Sequence, residues 1–133
     1  MSNESCYPEG ECPTLRIVMM PRDTNAAGTI FGGVILSHID LAAAVESHKS
    51  HEGKLVTVAM DEIVFRAPVF VGDVVSCYTK TLKTGRTSVK SDVQVWSESR
   101  FGSVERRLVT EAVVTMVAVD DKGKSIPLTP PKV

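Results

Sequence analysis

The stretch from residue 34 to residue 49, VILSHIDLAAAVESHK, is the best helix former in the chain, and it decides the architecture. It is rich in alanine, leucine and isoleucine, and neither glycine nor proline interrupts it before Gly53. Apolar residues cover most of its circumference as far as Val45, which is typical of a helix buried among other elements. We therefore expect one central, buried helix.

The sequence on either side of this helix predicts β-strands. The apolar run LRIVMM precedes it, and four β-branched segments follow it, at residues 55–65, 74–82, 87–96 and 108–119. Short connections among the later strands favour antiparallel pairing. One helix against a five-stranded antiparallel sheet is a two-layer α+β domain, in which the sheet curls around the helix. We predict a single domain over 14–133, preceded by a flexible N-terminal arm at 1–13.

The composition is that of a globular protein of 133 residues, with 43% apolar and 23% charged residues. A net charge of -1 argues against a nucleic-acid-binding platform, which is usually strongly basic. No apolar run approaches the roughly 20 residues that span a membrane, and the N-terminus has no signal-peptide pattern. The odd number of cysteines (Cys6, Cys12 and Cys77) matches no zinc spacing and no disulfide framework, so we expect a reduced, cytoplasmic protein without a metal.

Asp40 is the anomalous residue of the helix, because a carboxylate among apolar neighbours is costly unless it is paired or takes part in chemistry. It belongs to a stripe of small residues at helical spacing, formed by Gly33, Ser37, Asp40, Ala44 and Ser47. Such a stripe leaves room for a narrow ligand beside the carboxylate. A structural carboxylate, satisfied by a neighbouring donor, explains the pattern equally well, so the residues alone leave both interpretations open.

The start of the helix is a second candidate feature. At Gly32 and Gly33 the backbone N–H groups lack intrahelical partners and the helix dipole is positive, so a ligand oxygen can approach closely. An N–H directed at a polarised carbonyl forms an oxyanion hole, although a tight turn also accounts for two glycines. Gly33 and Asp40 lie about 10.5 Å apart along the axis. One reacting carbon contacts both only if two antiparallel helices face each other, which predicts a homodimer with two shared sites.

The segment from Pro21 to Ala44, PRDTNAAGTIFGGVILSHIDLAAA, resembles the signature of the YciA-like acyl-CoA thioester hydrolases, relatives of the brain acyl-CoA hydrolases. The similarity continues through VTVAMDEIVFRAPVFVGDVV and the GRTSV turn, and covers nearly the whole chain. It implies a hotdog fold, a dimer that assembles into a hexamer, and hydrolysis of acyl-CoA to a free acid and coenzyme A. It also implies that Asn25 and Asp40 are the catalytic pair.

This resemblance suggests how the candidate residues divide the reaction. Asp40 would act as a general base on water, or would attack the thioester directly. Asn25 and the backbone N–H groups of Gly32 and Gly33 would orient water and stabilise the oxyanion. Coenzyme A is part of the substrate, so no cofactor is expected.

Residues that bind the coenzyme A part of the substrate are expected on two strands. Arg86 is the best placed cation for its phosphates, although a solvated turn residue explains it equally well. Strand-edge backbone near Thr57, and near Thr87 and Ser88, would bind the pantetheine arm.

Two other functions compete with the thioesterase. A hotdog hydratase acting on acyl thioesters needs a positioned histidine in the loop before the helix, where this chain has Asn25 instead. A non-catalytic acyl-CoA sensor is the alternative from a different class, and it gains nothing from a costly carboxylate at Asp40.

Overall fold

The computed structural model describes residues 7–101 and 105–132, and it confirms the predicted single helix against a five-stranded antiparallel sheet. The order of the strands in the sheet is β1-β3-β4-β5-β2, and each neighbouring pair is antiparallel. A short 3-10 turn at residues 21–23 precedes the helix. The elements are β1 (Leu15–Val18), α1 (Gly32–Ser47), β2 (Leu55–Asp61), β3 (Val74–Thr84), β4 (Ser88–Glu98) and β5 (Arg106–Ala118).

The helix α1 is buried on one side only. Ile35, Ile39 and Ala43 are buried in the core against the inward-facing valines of the sheet. On the opposite side, Leu41 and Val45 are 56% and 58% exposed, because the sheet of one chain covers half of the helix. The expected all-round burial is therefore not reached within one chain. No helix in the described ranges is long and apolar enough to cross a membrane.

Strand β2 is an edge strand, and a β-bulge interrupts its alternation. Its register against β5 shifts between Thr57 and Ala59, so that Val58 is an extra residue. Thr57 and Met60 consequently both face the helix, although they are three residues apart. The strand ends at Asp61, earlier than the predicted residue 65, because Glu62 takes a left-handed conformation (φ 62°) that leaves the strand path.

The predicted N-terminal arm, residues 1–13, lies partly outside the described residues, which begin at Tyr7. The Tyr7 ring packs edge-on against Tyr78 and Trp96, with centroid distances of 5.7 and 5.3 Å. The guanidinium of Arg106 stacks over the same ring. The neighbouring Cys77 side chain points into the core, so Tyr78 and its partner Tyr7 lie on the face of the sheet that points away from α1.

Candidate active site

Asp40 lies in the middle of α1 with a half-buried side chain. Its Oδ1 accepts a hydrogen bond from the Thr57 hydroxyl on β2. Thr57 precedes the bulge at Val58 and faces the helix by ordinary alternation with Leu55, which packs against the core. The bond fixes one carboxylate oxygen against the sheet. Thr57 is therefore the neighbouring donor that a structural role of Asp40 requires. Thr57, which was expected to offer backbone groups, contributes its side chain.

Asn25 organises the loop between the 3-10 turn and α1. Its Oδ1 accepts hydrogen bonds from the backbone N–H groups of Ala27 (2.8 Å) and Thr29 (3.2 Å). Its Nδ2 donates one hydrogen to the Thr29 hydroxyl at 3.0 Å. Because only the amide oxygen can accept these two backbone N–H groups, the contacts assign the positions of Oδ1 and Nδ2. Within the described residues, none of these contacts joins Asn25 to Asp40 of the same chain.

The two glycines at the start of α1 differ in their surroundings. A Cβ added to Gly33 would lie 2.6 Å from the ring of Phe31, an exposed side chain that would have to turn aside. A Cβ on Gly32 would lie 3.7 Å from the Phe65 ring, which is ordinary contact. Gly32 instead borders a cavity of about 360 Å³ between the helix start and residues 65–69. A Cβ would therefore displace a neighbouring side chain at Gly33 but none at Gly32.

The turn that carries Arg86, Thr87 and Ser88 lies at the same end of the sheet as Thr57. Ser88 pairs with Val117 on β5, and Val117 pairs with Val56 on β2. Adjacent strands are about 4.8 Å apart, so the turn and the start of β2 are separated by about 10 Å. A single chain thus brings the substrate-binding candidates to the Asp40 region. Gly32, at the start of the helix, is about two turns away, and Asn25 lies in the loop that precedes the helix.

Three other arginines of the described chain have acidic partners. Arg106 contacts Glu98 and Glu9 at 3.2 Å each, and Arg107 contacts Asp73 at 3.3 Å. Arg66 lies 4.0 Å from Glu111. These three arginines are accounted for by structural ion pairs.

Two lysines near the Arg86 turn have a different environment. Lys83 and Lys90 are directly opposite each other in the register of β3 and β4, and both are exposed. Like charges in that position are unfavourable without an anion nearby. Together with Arg86 they give the tip of the β3–β4 hairpin a positive charge. Within the described residues, no group of three or more His, Cys, Asp or Glu could hold a metal ion.

Glu46 is a second carboxylate of α1 that the sequence analysis overlooked, and it is 4% exposed. It accepts hydrogen bonds from Thr79 (2.8 Å) and Thr81 (2.7 Å) on β3, and from Lys49 (2.9 Å). Burial acts to raise its pKa, but the hydrogen bonds from Thr81, Lys49 and Thr79 outweigh burial and lower the pKa from its ordinary value of 4.5. Its spacing after Ile39 and Ala42, at i+7 and i+4, marks the buried face and could have identified it.

Replacing Glu46 by glutamine is expected to lower stability at neutral pH and to flatten its acid dependence. A group with a lowered folded-state pKa stabilises the protein above its unfolded value, here 4.5, and loses that contribution as pH falls through the folded value. Urea midpoints between pH 3 and pH 7 would measure this. The exposed Glu52, replaced by glutamine, is the control. Parallel pH curves for wild type and Glu46→Gln would contradict the prediction.

Comparison with known proteins agrees with the resemblance noted in the sequence. The model of the thioesterase superfamily matches residues 27–100. The acyl-CoA thioester hydrolase YciA of Salmonella typhimurium is 42% identical over 123 residues, which is 91% of this chain and 92% of that protein. A hexameric hotdog-fold thioesterase of Campylobacter jejuni is 45% identical, with a TM-score of 0.83 over 88% of this chain and 90% of that one. A hexameric thioesterase from Yersinia pestis is 44% identical, with a TM-score of 0.84 over 94% of this chain and 100% of that one.

The chain therefore belongs to the thioesterase superfamily and, within it, to the YciA-like acyl-CoA thioester hydrolases. The predicted hotdog fold is confirmed, with α1 as its central helix. The expectation that the chain is an enzyme of the thioester hydrolase class is confirmed with it.

Proposed function

We propose that this protein hydrolyses acyl-CoA to a free acid and coenzyme A, with Asp40 as its catalytic carboxylate. The observation that carries the proposal is the setting of Asp40. One carboxylate oxygen is held by Thr57, and the side chain is only half buried, so a substrate can reach it from the side that the sheet leaves open. The relatives named acyl-CoA thioester hydrolases support the same chemistry.

Two mechanisms agree with this geometry. In the first, Asp40 takes a proton from water as the water oxygen attacks the thioester carbon. The resulting oxyanion collapses, the C–S bond breaks, and Asp40 returns the proton to the departing coenzyme A thiolate. In the second, an Asp40 oxygen attacks the carbon directly and expels the thiolate, and water then hydrolyses the anhydride. Both routes pass through an oxyanion that needs hydrogen-bond donors.

Asn25 and the helix start are proposed to supply those donors. The Asn25 amide nitrogen carries two hydrogens, of which Thr29 receives one. Because the amide oxygen accepts two backbone N–H groups, only the nitrogen end is available to a substrate. The backbone N–H groups of Gly32 and Gly33 lack intrahelical partners and lie at the positive end of the helix dipole.

We propose a dimer as the smallest active unit. Asp40 and the start of α1 are about 10 Å apart along the helix, which is too far for one carbonyl to contact both within one chain. The exposed apolar side chains of Leu41 and Val45 on α1, and of Val58 on the edge strand β2, offer a surface for a second copy. Two helices that meet antiparallel on this surface would set Asp40 of each chain opposite the helix start of the other.

The proposed assembly extends this dimer to a hexamer, as a trimer of dimers. Relatives at 44–45% identity are hexameric thioesterases. We further propose a cytoplasmic protein, because Cys12 and Cys77 are free thiols in the described structure, which suits a reducing compartment.

A thiol-release assay with short-, medium- and long-chain acyl-CoAs tests the proposed function. Release of coenzyme A at rates well above the uncatalysed reaction is expected for at least one chain length. Calorimetric titration with coenzyme A runs in parallel. Binding without thiol release would show a non-catalytic sensor and refute the enzymatic proposal.

Replacing Gly32 by alanine is expected to lower turnover about 10²-fold, the scale of losing one oxyanion donor. The new Cβ has room in the fold, since its nearest neighbour would lie 3.7 Å away, but it enters the cavity through which the substrate would approach the N–H group. The melting temperature should stay at the wild-type value. Gly33→Ala is the contrasting variant, because its Cβ would displace the exposed Phe31 ring. Wild-type turnover in Gly32→Ala would remove Gly32 from the site.

A further inference from the structure

The C-terminal tail is fastened across the end of the sheet that carries Arg86. The Leu128 N–H donates to the Arg86 carbonyl at 2.9 Å. The next residue, Thr129, is bound on both sides of its backbone: its N–H donates to Nδ1 of His51, and its carbonyl accepts from the Glu52 N–H, each at 2.9 Å. The tail therefore joins the β3–β4 turn to the loop after α1, two segments that are distant in sequence.

His51, which accepts the Thr129 N–H, is a polar side chain that is only 2% exposed. Its Nδ1 accepts the Thr129 N–H, so the ring hydrogen of the neutral form is on Nε2. Nε2 is buried and has no hydrogen-bond partner in the described structure, which is a cost that an apolar side chain would avoid. Gly53 makes room for the ring, since a Cβ there would lie 2.8 Å from Nε2. What His51 adds in return is the acceptor for the tail.

The tail also forms one wall of a cavity beside the turn. This cavity has a volume of about 360 Å³ and is bordered by Lys49, Ser50, residues 84–86, Leu128 and Pro130. Lysine and arginine border it, and among the described residues no acidic side chain does. With the tail in place, the backbone at Arg86 is held from one side by Leu128, while the Thr87 carbonyl is held by the Ala118 N–H.

We propose that His51 is a positioning residue for substrate binding. Through Thr129 it holds the tail, and the tail holds the turn so that the Arg86 guanidinium meets the phosphates of the acyl-CoA. This inference rests on the proposed function and on Arg86 as a phosphate ligand. His51 and the tail should therefore affect the binding of the nucleotide end of the substrate and should have no effect on the thioester end.

Two substrates separate these ends: an acyl-CoA, and the matching S-acyl-pantetheine, which carries the thioester but no phosphates. In His51→Leu, the KM for acyl-CoA should rise about tenfold, the scale of one weakened charged contact, while kcat stays within about twofold. Hydrolysis of acyl-pantetheine should be unchanged. His51→Asn should restore the wild-type KM, because its Oδ1 occupies the position of Nδ1 and can accept the Thr129 N–H.

A second pair of variants tests the same bond from the tail. Thr129→Pro removes the backbone N–H and should reproduce the rise in KM, whereas Thr129→Ala keeps the N–H and should match wild type. This pair decides the question even if His51→Leu does not fold. An equal loss on both substrates, or an unchanged KM in Thr129→Pro, would overturn the inference.

Measuring the binding of coenzyme A tests the role of His51 separately from the proposed function. Calorimetry should show affinity for free coenzyme A about tenfold weaker in His51→Leu than in wild type, whether or not the protein hydrolyses thioesters. A wild-type protein that binds coenzyme A without turnover would refute the proposed function alone. Equal affinities in wild type and variant would refute the role of His51 alone.

Discussion

Asp40→Asn is expected to lower kcat for acyl-CoA hydrolysis about 10³-fold, the middle of the range for loss of a general base. The loss should be of this size on either proposed route, because asparagine neither accepts the proton of water nor attacks a thioester. The fold should survive, since the amide oxygen of the new side chain can still accept the Thr57 hydroxyl that Asp40 Oδ1 accepts in the native chain. The KM should change little, because the coenzyme A contacts are proposed at the Arg86 turn.

The matched control for this variant is Glu46→Gln, which replaces the other carboxylate of the same helix. Glu46 is directed at Thr79 and Thr81 on β3, whereas Asp40 is directed at Thr57 on β2. We expect kcat within about twofold of wild type for Glu46→Gln, because its hydrogen bonds act on the fold and not on the substrate. Turnover in Asp40→Asn close to that of wild type, against several chain lengths, would refute the catalytic role of Asp40.

The fold could be predicted because its elements follow strong local patterns. An alanine-rich segment without glycine or proline predicts α1, and β-branched alternation predicts each strand. The change in side-chain direction between Thr57 and Met60 on β2 could not be predicted. Strict alternation puts Thr57, Ala59 and Asp61 on one face, and the bulge at Val58 breaks it without any glycine to signal the irregularity. The early end of β2 likewise depends on the backbone of Glu62, which its residue type does not favour.

In the candidate site, too, some residues could be identified from the sequence and others could not. Asp40 stands out in the sequence because an acidic residue interrupts an apolar helix. The Asn25 pairing came from the resemblance, since a loop asparagine is by itself equally typical of a turn, and in the structure it does stabilise the loop through Ala27 and Thr29. The role of His51 could not be predicted, because it depends on a tail 78 residues further along the chain.

Mixing two inactive variants should restore activity if the site is shared between chains. One chain carries Asp40→Asn and the other carries Asn25→Asp. Aspartate at 25 keeps the oxygen that accepts the Ala27 and Thr29 N–H groups but loses the amide donor. In a mixed dimer, the intact Asp40 of one chain faces the intact Asn25 of the other at one of the two sites. Random pairing makes half of the dimers mixed, so about a quarter of all sites should be active.

The expected gain is large, because each variant alone should retain only about 10⁻³ to 10⁻² of wild-type turnover. The measurement is thiol release after subunit exchange of separately purified, differently tagged chains. A site confined to one chain predicts no gain, because every chain with an intact Asp40 carries the Asn25→Asp substitution, and every chain with an intact Asn25 carries Asp40→Asn. As a control, each variant is exchanged with a tagged copy of itself, which corrects for any change in activity caused by the exchange procedure.

The reverse mixture is an independent test of whether the site is shared between two chains. A chain that carries both Asn25→Asp and Asp40→Asn is exchanged with an equal amount of wild type. In a shared site, every mixed dimer is inactive at both sites, and about a quarter of the sites remain, all in wild-type dimers. In a site within one chain, every wild-type chain keeps its own site, and about half of the sites remain. A result near one half, together with no gain in the first mixture, would refute the shared site while leaving Asp40 as the catalytic residue.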